Sequence, residues 1–218
     1  MVERTWGYSG QVGEWFGNVG IPPSRRQPPV AASQWVLDQV VPLLMEMHRP
    51  RRMLVSWAEY DEQGEEAGFH ELEQVESATW EGVKAELAML ASGNNTFAVS
   101  ALFVLMDTAV IEDKGVFWAD SSAELQVSIP PPEQTPEVAS LSYSTYIDVW
   151  LSTTYGTGKV ERANYGPAAL NHPRIEALLR AFSALLGESY RVGESDFYHD
   201  SITEMGFLGG DAPQLSGT

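Results

Sequence analysis

The chain has 218 residues, no cysteine and a formal net charge of -17, from 30 acidic and 13 basic side chains. This length fits one large domain or two small ones. Because there is no cysteine, disulfides and thiolate metal sites are excluded. The acidic balance disfavours nucleic acid as a direct ligand, because phosphate binding needs clustered Lys and Arg. No apolar run approaches the ~20 residues that a membrane-spanning helix needs, and the first residues lack the apolar core of a signal peptide, so we predict a cytoplasmic protein without membrane contact.

The N-terminal segment, residues 1–32, is rich in glycine and proline. Aromatic side chains are interleaved with them, at Trp6, Tyr8, Trp15 and Phe16. Glycine and proline favour turns, whereas aromatic side chains are usually buried, so we predict an irregular segment or a short hairpin that packs onto the body of the domain. The alternative is an exposed aromatic loop with a ligand of its own.

The first helix is predicted between Ser33 and Arg49, because apolar residues recur there at helical spacing, with a kink at Pro42. Three arginines follow within residues 49–52. Cations at the C-terminal end of a helix interact favourably with its macrodipole, and this is the interpretation we favour. A phosphate site is the alternative.

A strongly acidic hairpin is predicted next, from a strand at Met53–Asp61 and a returning strand at Phe69–Glu76. Between residues 59 and 76 there is no Lys or Arg, and the carboxylates of this acidic hairpin are Glu59, Asp61, Glu62, Glu65, Glu66, Glu71, Glu73 and Glu76. Like charges on paired strands repel and cost stability. The acidic hairpin is therefore either a solvated edge or a face that meets a basic partner.

A second helix is predicted at Thr79–Ser92, followed by a nearly continuous apolar run at Phe97–Met106. Such a run is typical of a strand that is covered on both faces, so we predict a central strand here. The alternation within Ala123–Ile129 predicts a further strand, which the prolines from residue 130 end.

The longest pattern runs from Leu141 to Gly187. Apolar and polar residues alternate from Leu141 to Leu151, which predicts a strand with its odd-numbered face in the core. Tyr146 and Trp150 interrupt the polar face, so we expect both on the surface. Residues 171–173, Asn-His-Pro, predict the start of an amphipathic helix that ends at Gly187.

The order of these elements indicates the fold class. Strands that follow one another through short turns pair antiparallel. We therefore predict an α+β fold in which about three helices pack on a mostly antiparallel sheet. No linker divides the chain, so residues 1–208 are predicted to form a single domain, and the polar end, residues 209–218, is predicted to be disordered.

The sequence contains none of the common phosphate-binding, nucleophile-elbow, zinc or calcium motifs, so we predict no cofactor and no metal. One cluster could support general base catalysis, because a histidine stands beside carboxylates: Ser195, Asp196, His199 and Asp200. In a loop, the same residues usually form local turn bonds.

Three segments carry a resemblance to known proteins: STYIDVWL at residues 144–151, AALNHPRIEALLR at residues 168–180 and LGE at residues 186–188. Over residues 143–200 the chain resembles the C-terminal half of small actinobacterial immunity-like proteins, which accompany polymorphic toxins. The resemblance implies an α+β protein that neutralises a bacterial toxin by binding it. It carries over no functional residue.

Two hypotheses of different classes follow. The first is a non-enzymatic binding protein, an immunity protein that neutralises a basic toxin domain through an acidic surface. Its predicted partner-binding residues are Glu59, Asp61, Glu62, Glu65, Glu66, Glu71, Glu73, Tyr146 and Trp150. The second is a hydrolase-like enzyme of unrecognised family, with or without a metal, that uses the cluster around His199 or the carboxylates of the acidic hairpin.

Overall fold

A computed structural model describes residues 4–26, 29–60, 66–75, 79–85, 97–129, 137–156, 160–193, 195–196, 198 and 201–208. Several predictions fall partly or wholly outside these residues: the disordered tail at residues 209–218, the tip of the acidic hairpin at residues 61–65, the second half of the helix predicted at Thr79–Ser92, and His199 and Asp200 of the predicted catalytic cluster.

The strands of the described residues are β1 (Tyr8–Gly20), β2 (His48–Tyr60), β3 (Glu66–Val75), β4 (Phe97–Glu112), β5 (Gly115–Ser128), β6 (Val138–Ile147), β7 (Thr153–Gly156), β8 (Val160–Ala163), β9 (Arg191–Val192), β10 (Ile202–Thr203) and β11 (Gly206–Phe207). Seven of them form one sheet in the order β3-β2-β4-β5-β6-β1-β9, and every neighbouring pair is antiparallel. β7 pairs with β8, and β10 with β11, in two small hairpins. The mostly antiparallel sheet is thus confirmed.

Three helices in the described part of the chain pack on this sheet, as the α+β prediction requires. They are α1 (Pro29–Leu44), α2 (described over residues 80–85) and α3 (Tyr165–Leu186). α1 and α3 contact each other and β4, while Lys84 of α2 forms an ion pair of 2.6 Å with Asp38 of α1, so all three lie in one layer. None of these described helices is long and apolar enough to cross a membrane.

The hydrophobic core lies between this helix layer and one face of the sheet. From α3, Ile175, Leu179 and Phe182 are almost completely buried. The ring of Phe182 packs against Tyr143 of β6, with 6.3 Å between the ring centroids. Burying side chains of this size contributes about 1.5–3 kcal/mol each, so tertiary packing of its apolar stripe is what holds α3 in place.

The alternation predicted for the long strand is confirmed as far as Ile147. Tyr143 and Ile147 are buried on the face of β6 that meets the helices. The strand ends at Ile147 because Asp148 turns the chain, and the N–H of Leu151 donates to the carbonyl of Asp148 at 3.1 Å. Trp150 lies in this turn and is buried, which corrects its predicted place on the surface.

The N-terminal segment contains a long strand, which corrects the prediction of irregular structure. β1 lies inside the sheet between β6 and β9, and its Trp15 is fully buried. Two glycines of β1 allow other segments to approach its backbone closely. A Cβ on Gly17 would lie 2.8 Å from the backbone oxygen of Ser189, and a Cβ on Gly10 would overlap the carboxylate of Asp196. The glycines that suggested turns are needed because other segments pack closely against β1. The segment does pack onto the body of the domain, as predicted.

α3 begins at Tyr165, earlier than predicted. Asn171 does not cap the helix, because its side chain bonds to β4 instead. Its Oδ1 accepts from the N–H of Ile111 at 2.9 Å, and its Nδ2 donates to the carbonyl of Ile111 at 2.8 Å. The predicted end at Gly187 is confirmed, with a φ of +57° that glycine adopts at little cost.

α1 begins at Pro29 and ends at Leu44, so both ends of the first helix lie N-terminal to the predicted Ser33 and Arg49. The N–H of Met47 donates to the carbonyl of Leu44 at 3.0 Å, which closes the turn into β2. Residues 49–52 therefore belong to a strand and not to a helix end. The macrodipole interpretation of these arginines is wrong.

β4 is an interior strand, although β5 takes the middle position in the sheet. Leu102, Val104 and Met106 are fully buried against the helix layer. Phe103 and Leu105 alternate with them and are only partly buried, so the predicted cover on both faces is wrong. The apolar run therefore marks a strand whose one face is in the core and whose other face is partly exposed among the described residues.

Ile147→Asp tests the register of β6. An unpaired carboxylate at this fully buried position costs several kcal/mol, which is comparable with the stability of a whole domain, so we expect an unfolded variant by circular dichroism. Ser140→Asp, on the exposed side of the same strand, is the matched control and should unfold in urea within about 0.5 kcal/mol of wild type. A folded Ile147→Asp protein with the wild-type midpoint would contradict this register.

Candidate functional site

Within the described residues, the helices cover only one face of the seven-stranded sheet. The other face is the candidate functional site and is called the open face. The strand register arranges its residues in three rows: Arg52, Leu105, Glu124, Ser144 and Glu14; Leu54, Phe103, Gln126, Ser142, Phe16 and Arg191; and Ser56, Ala101, Ser128, Ser140 and Asn18. Side chains directly opposed on antiparallel strands lie on the same face and close together. Each row is therefore a continuous line of neighbours along the open face, in which Ser144 and Ser56 are buried.

A groove of about 620 Å³ opens on the half of the open face that β5, β6 and β1 form. Its floor is polar: Ser142 Oγ donates to Glu14 Oε1 at 2.8 Å, and Ser140 Oγ donates to Asn18 Oδ1 at 2.9 Å. Phe16 lines the groove and is 39% exposed. The groove thus combines an accessible aromatic ring with hydroxyl, amide and carboxylate groups.

Two carboxylates lie in the first row, where Glu14 and Glu124 stand on either side of Ser144. The hydroxyl of Tyr146 donates to Glu124 Oε2 at 3.4 Å. Burial raises the pKa of Tyr146 to about 12, and the charge of Glu124 adds to the rise. The phenol therefore stays protonated at physiological pH, as a hydrogen-bond donor beside an acidic strip.

A second groove, of about 270 Å³, opens on the half formed by β2 and β4. Leu54, Phe103 and Leu105 line it side by side, with Arg52 and Glu124 at its margin. These apolar side chains are partly exposed. An apolar centre with a charged rim is the arrangement found in protein–protein interfaces.

The acidic hairpin borders the open face, because β3 is the neighbour of β2 in the sheet. Glu71 lies opposite Ser56 and Glu73 opposite Leu54, so the rows continue into β3 by register. Glu59 is paired with Gly68 and Glu66 with Tyr60, nearer the tip. Asp61, Glu62, Glu65 and Glu76 lie outside the described residues.

Of the two aromatic side chains predicted on the surface, only Tyr146 is on the open face. Trp150 is 0% exposed, and its Nε1 donates to Thr145 Oγ1 at 3.1 Å inside the core. The alternating pattern continues past Ile147 in the sequence, whereas the strand stops there. Trp150 is therefore removed from the partner-binding residues.

A chain of buried polar groups links four strands on the core side of the sheet. His48 Nε2 lies 3.0 Å from the hydroxyl of Tyr143, His48 Nδ1 lies 3.1 Å from Thr108 Oγ1, and Ser122 Oγ lies 2.6 Å from the same Thr108 oxygen. Burial, and to a lesser extent the charge of Arg174, lowers the pKa of His48 to about 3. The imidazole is neutral, and with at most 1% of these four residues exposed, the chain ties strands together without access for a substrate.

The predicted catalytic cluster is described only in part. Ser195 is 1% exposed. Asp196 Oδ2 accepts from the N–H of Gln11 at 2.6 Å, and the N–H of Asp196 donates to the carbonyl of Gln11 at 2.7 Å, so this segment extends the pairing along β1. His199 and Asp200 lie outside the described residues, among which no group of three His, Asp or Glu side chains could hold a metal ion.

Four open-face residues are not predicted from the sequence: Glu14, Phe16, Phe103 and Glu124. The sequence pattern indicates that Glu124 points away from the core, because polar and apolar residues alternate along this part of β5 and the adjacent Leu125 is buried. The glycines of β1 concealed the alternation around Glu14 and Phe16. The continuous apolar run of β4 concealed the outward direction of Phe103.

Burial of His48 makes the stability of the fold depend on pH. Its pKa is about 3 in the folded protein and about 6.5 in an unfolded chain, so the unfolded state binds more protons between these values. The free energy of unfolding should therefore fall as the pH drops below about 6.5, and His48 should account for up to ~1.4 kcal/mol of this loss per pH unit. Above about pH 6.5, His48 should not change the free energy of unfolding. His48→Gln should remove this component in urea unfolding from about pH 7 to about pH 4.

Thr108→Val is the matched control for that series. It removes a hydrogen-bonding partner of the same histidine, so it should lower stability while it leaves the pH dependence intact. An equal loss of stability with falling pH in wild type and in His48→Gln would show that the histidine is not buried as a neutral ring.

Comparison with known proteins finds no relative of this chain, since no family model, no curated protein and no solved structure matches it significantly. The function of the chain is therefore proposed from its own surfaces and from the resemblance of residues 143–200.

Proposed function

We propose that this chain is a non-enzymatic binding protein that binds a basic protein domain on its open face, with the acidic hairpin at the margin. The observation that carries the proposal is the open face, where two grooves, partly exposed apolar side chains and carboxylates share one side of the sheet. Contiguous apolar surface rimmed by polar residues marks interaction sites on proteins.

Charge favours a basic partner. The net charge is -17, and Glu14 and Glu124 of the open face add to the carboxylates of the neighbouring acidic hairpin. Complementary charge steers the encounter of two proteins and raises the association rate, while it suppresses binding of acidic proteins. The acidic hairpin thus contributes mainly to how fast and how selectively the partner is found.

Apolar contacts supply affinity once the partner has docked. Phe16 stands in one groove, and Leu54, Phe103 and Leu105 line the other. Desolvation contributes about 25 cal/mol per Å² of apolar surface, and aromatic residues near the centre of an interface are common hot spots. Phe16 and the group of Leu54, Phe103 and Leu105 lie among polar residues on different strands of the open face. This arrangement suits a partner that covers several strands at once.

The resemblance of residues 143–200 to immunity-like proteins supports a more specific form of the proposal, in which the partner is a bacterial toxin that this chain neutralises. A nuclease toxin is positively charged around the site for its own substrate, so an acidic surface fits over that site. The hydrolase alternative has less support, because Ser195 is buried and Asp196 bonds to the backbone of β1.

Reversal of three charges in the acidic hairpin tests the steering role. The partner is captured from extracts of the source cells on immobilised wild-type chain, identified by mass spectrometry and purified. We expect Glu62→Lys, Glu65→Lys and Glu66→Lys together to slow its association by roughly tenfold or more at low salt, because attraction becomes repulsion. The wild-type rate should fall as salt rises, while the variant loses that dependence.

The matched control has the same change in net charge on other surfaces. It combines Glu46→Lys, Glu81→Lys and Glu161→Lys, all at exposed positions outside the open face. The control should associate with nearly the wild-type salt dependence. If both triple variants bind alike, net charge alone acts and the acidic hairpin has no particular role.

Phe16→Ala tests the open face itself. Loss of an aromatic anchor should raise the dissociation rate of the same partner by roughly tenfold or more, with a small effect on the association rate. Leu170→Ala is the control, because Leu170 is 40% exposed, like Phe16, but lies on α3 on the opposite side of the sheet. Wild-type dissociation from Phe16→Ala would place the interface elsewhere.

A further inference from the structure

Two arginines near the start of β2 share one buried carboxylate, that of Asp107. Arg49 Nε lies 3.0 Å from Asp107 Oδ2, and Arg51 Nη1 lies 3.3 Å from Asp107 Oδ1. The side chain of Asp107 is 5% exposed, whereas those of Arg49 and Arg51 are 52% and 44% exposed. The carboxylate is thus covered by two guanidinium groups that face solvent.

A bulge in the sheet builds this arrangement. The β4–β5 register breaks at Asp107, opposite which β5 makes an excursion between Ala119 and Ala123. Ser121 in the excursion has a φ of +49°, a conformation that serine rarely adopts. Its N–H donates to Asp107 Oδ1 at 2.9 Å, so the backbone is held where it completes the coordination of the carboxylate.

Each guanidinium retains donors that Asp107 does not occupy. A guanidinium has five N–H groups. Arg49 uses Nε for Asp107 and stacks over the ring of Trp118, with Cζ 4.4 Å from the ring centroid. Arg51 uses Nη1 for Asp107 and for the exposed Asp120, at 3.0 Å. In the described part of the chain, the terminal nitrogens of Arg49 and the Nε and Nη2 of Arg51 have no acceptor.

We propose that Arg49 and Arg51 form a binding site for a single oxyanion, a carboxylate or a phosphate. Arg49, Arg51 and Asp107 together carry a charge of +1, and the exposed Asp120, 3.0 Å from Arg51, brings the sum to zero. An incoming anion therefore takes the place of Asp120 at Arg51. The planar fork of arginine matches two-oxygen anions, and the shared carboxylate and the Trp118 ring hold the forks in position before a ligand arrives. The site does not depend on the protein partner proposed for the open face.

Two neighbours set the properties of this site. Asp120 already occupies one nitrogen of Arg51, so it competes with any incoming anion. Tyr8 is 57% exposed, and the charges of Asp120, Asp107 and Arg51 all act on its phenol; burial and the two aspartates raise its pKa. The phenol therefore stays protonated and is a further donor at the rim.

The test follows the arginine side-chain N–H resonances of the full chain by NMR while inorganic phosphate or acetate is added. We expect saturable shifts of the Arg49 and Arg51 signals at roughly millimolar concentrations, with Arg191 unshifted as an internal control. Arg191 is exposed on the same face but donates to the carbonyls of Glu188 and Tyr190. Binding of phosphate at least about tenfold tighter than acetate assigns the site to phosphate, and comparable binding assigns it to carboxylates.

Two variants keep the fold while they change the site. Asp120→Asn removes the competing charge at an exposed position and should tighten anion binding by about threefold or more. Arg51→Lys keeps the charge but loses the fork and should weaken it by about threefold or more. The proposal is overturned if neither anion shifts Arg49 and Arg51, if Arg191 shifts with them, or if Asp120→Asn leaves the affinity unchanged.

Discussion

Among the residues that the structure describes, helices cover one face of the sheet and not the other, and the rest of this structure depends on that constraint. Residues that point to the helix layer have to be apolar and closely packed, as Val104, Leu125 and Tyr143 are. Residues that point away from it are free of that requirement, so their identities can serve binding. Phe16 and Phe103 fill no space in the core from the open face, and their presence there needs a reason other than packing.

Polar groups then fix how the strands are aligned. His48, Thr108, Ser122 and Tyr143 come from four neighbouring strands, and each finds its partner only in the observed register. A slip of one residue would leave these groups buried without partners, at a cost of about 1–3 kcal/mol each. Asp107 has the same effect at the bulge, where it joins β2, β4 and β5. The rows of the open face are a consequence of this alignment.

Sequence periodicity predicted the parts of the fold in which local burial or the end of a helix alone decides the residue type. The buried odd-numbered residues of β6, the apolar stripe of α3 and its end at Gly187 are of this kind. It failed where a residue serves a contact distant in sequence: the glycines of β1 make room for Ser189 and Asp196, and Asn171 bonds to Ile111. For the candidate site, Tyr146 and the strands of the acidic hairpin were predicted, whereas Glu14 and Phe16 depend on a pairing that no local pattern encodes.

The interior position of β1 has a consequence for biosynthesis. Its Trp15 pairs with Tyr143 and with Val192, so β1 has to wait for partners that are synthesised much later. β4, β5 and β6 are joined to one another by short connections and can pair early, while closure of the long loop to β1 is slow. Until then the surface lacks the whole strip that carries Glu14 and Phe16. A nascent or truncated chain that stops before Val138 lacks β6, the partner of β1, and therefore presents only the part of the recognition surface that β2, β3, β4 and β5 form.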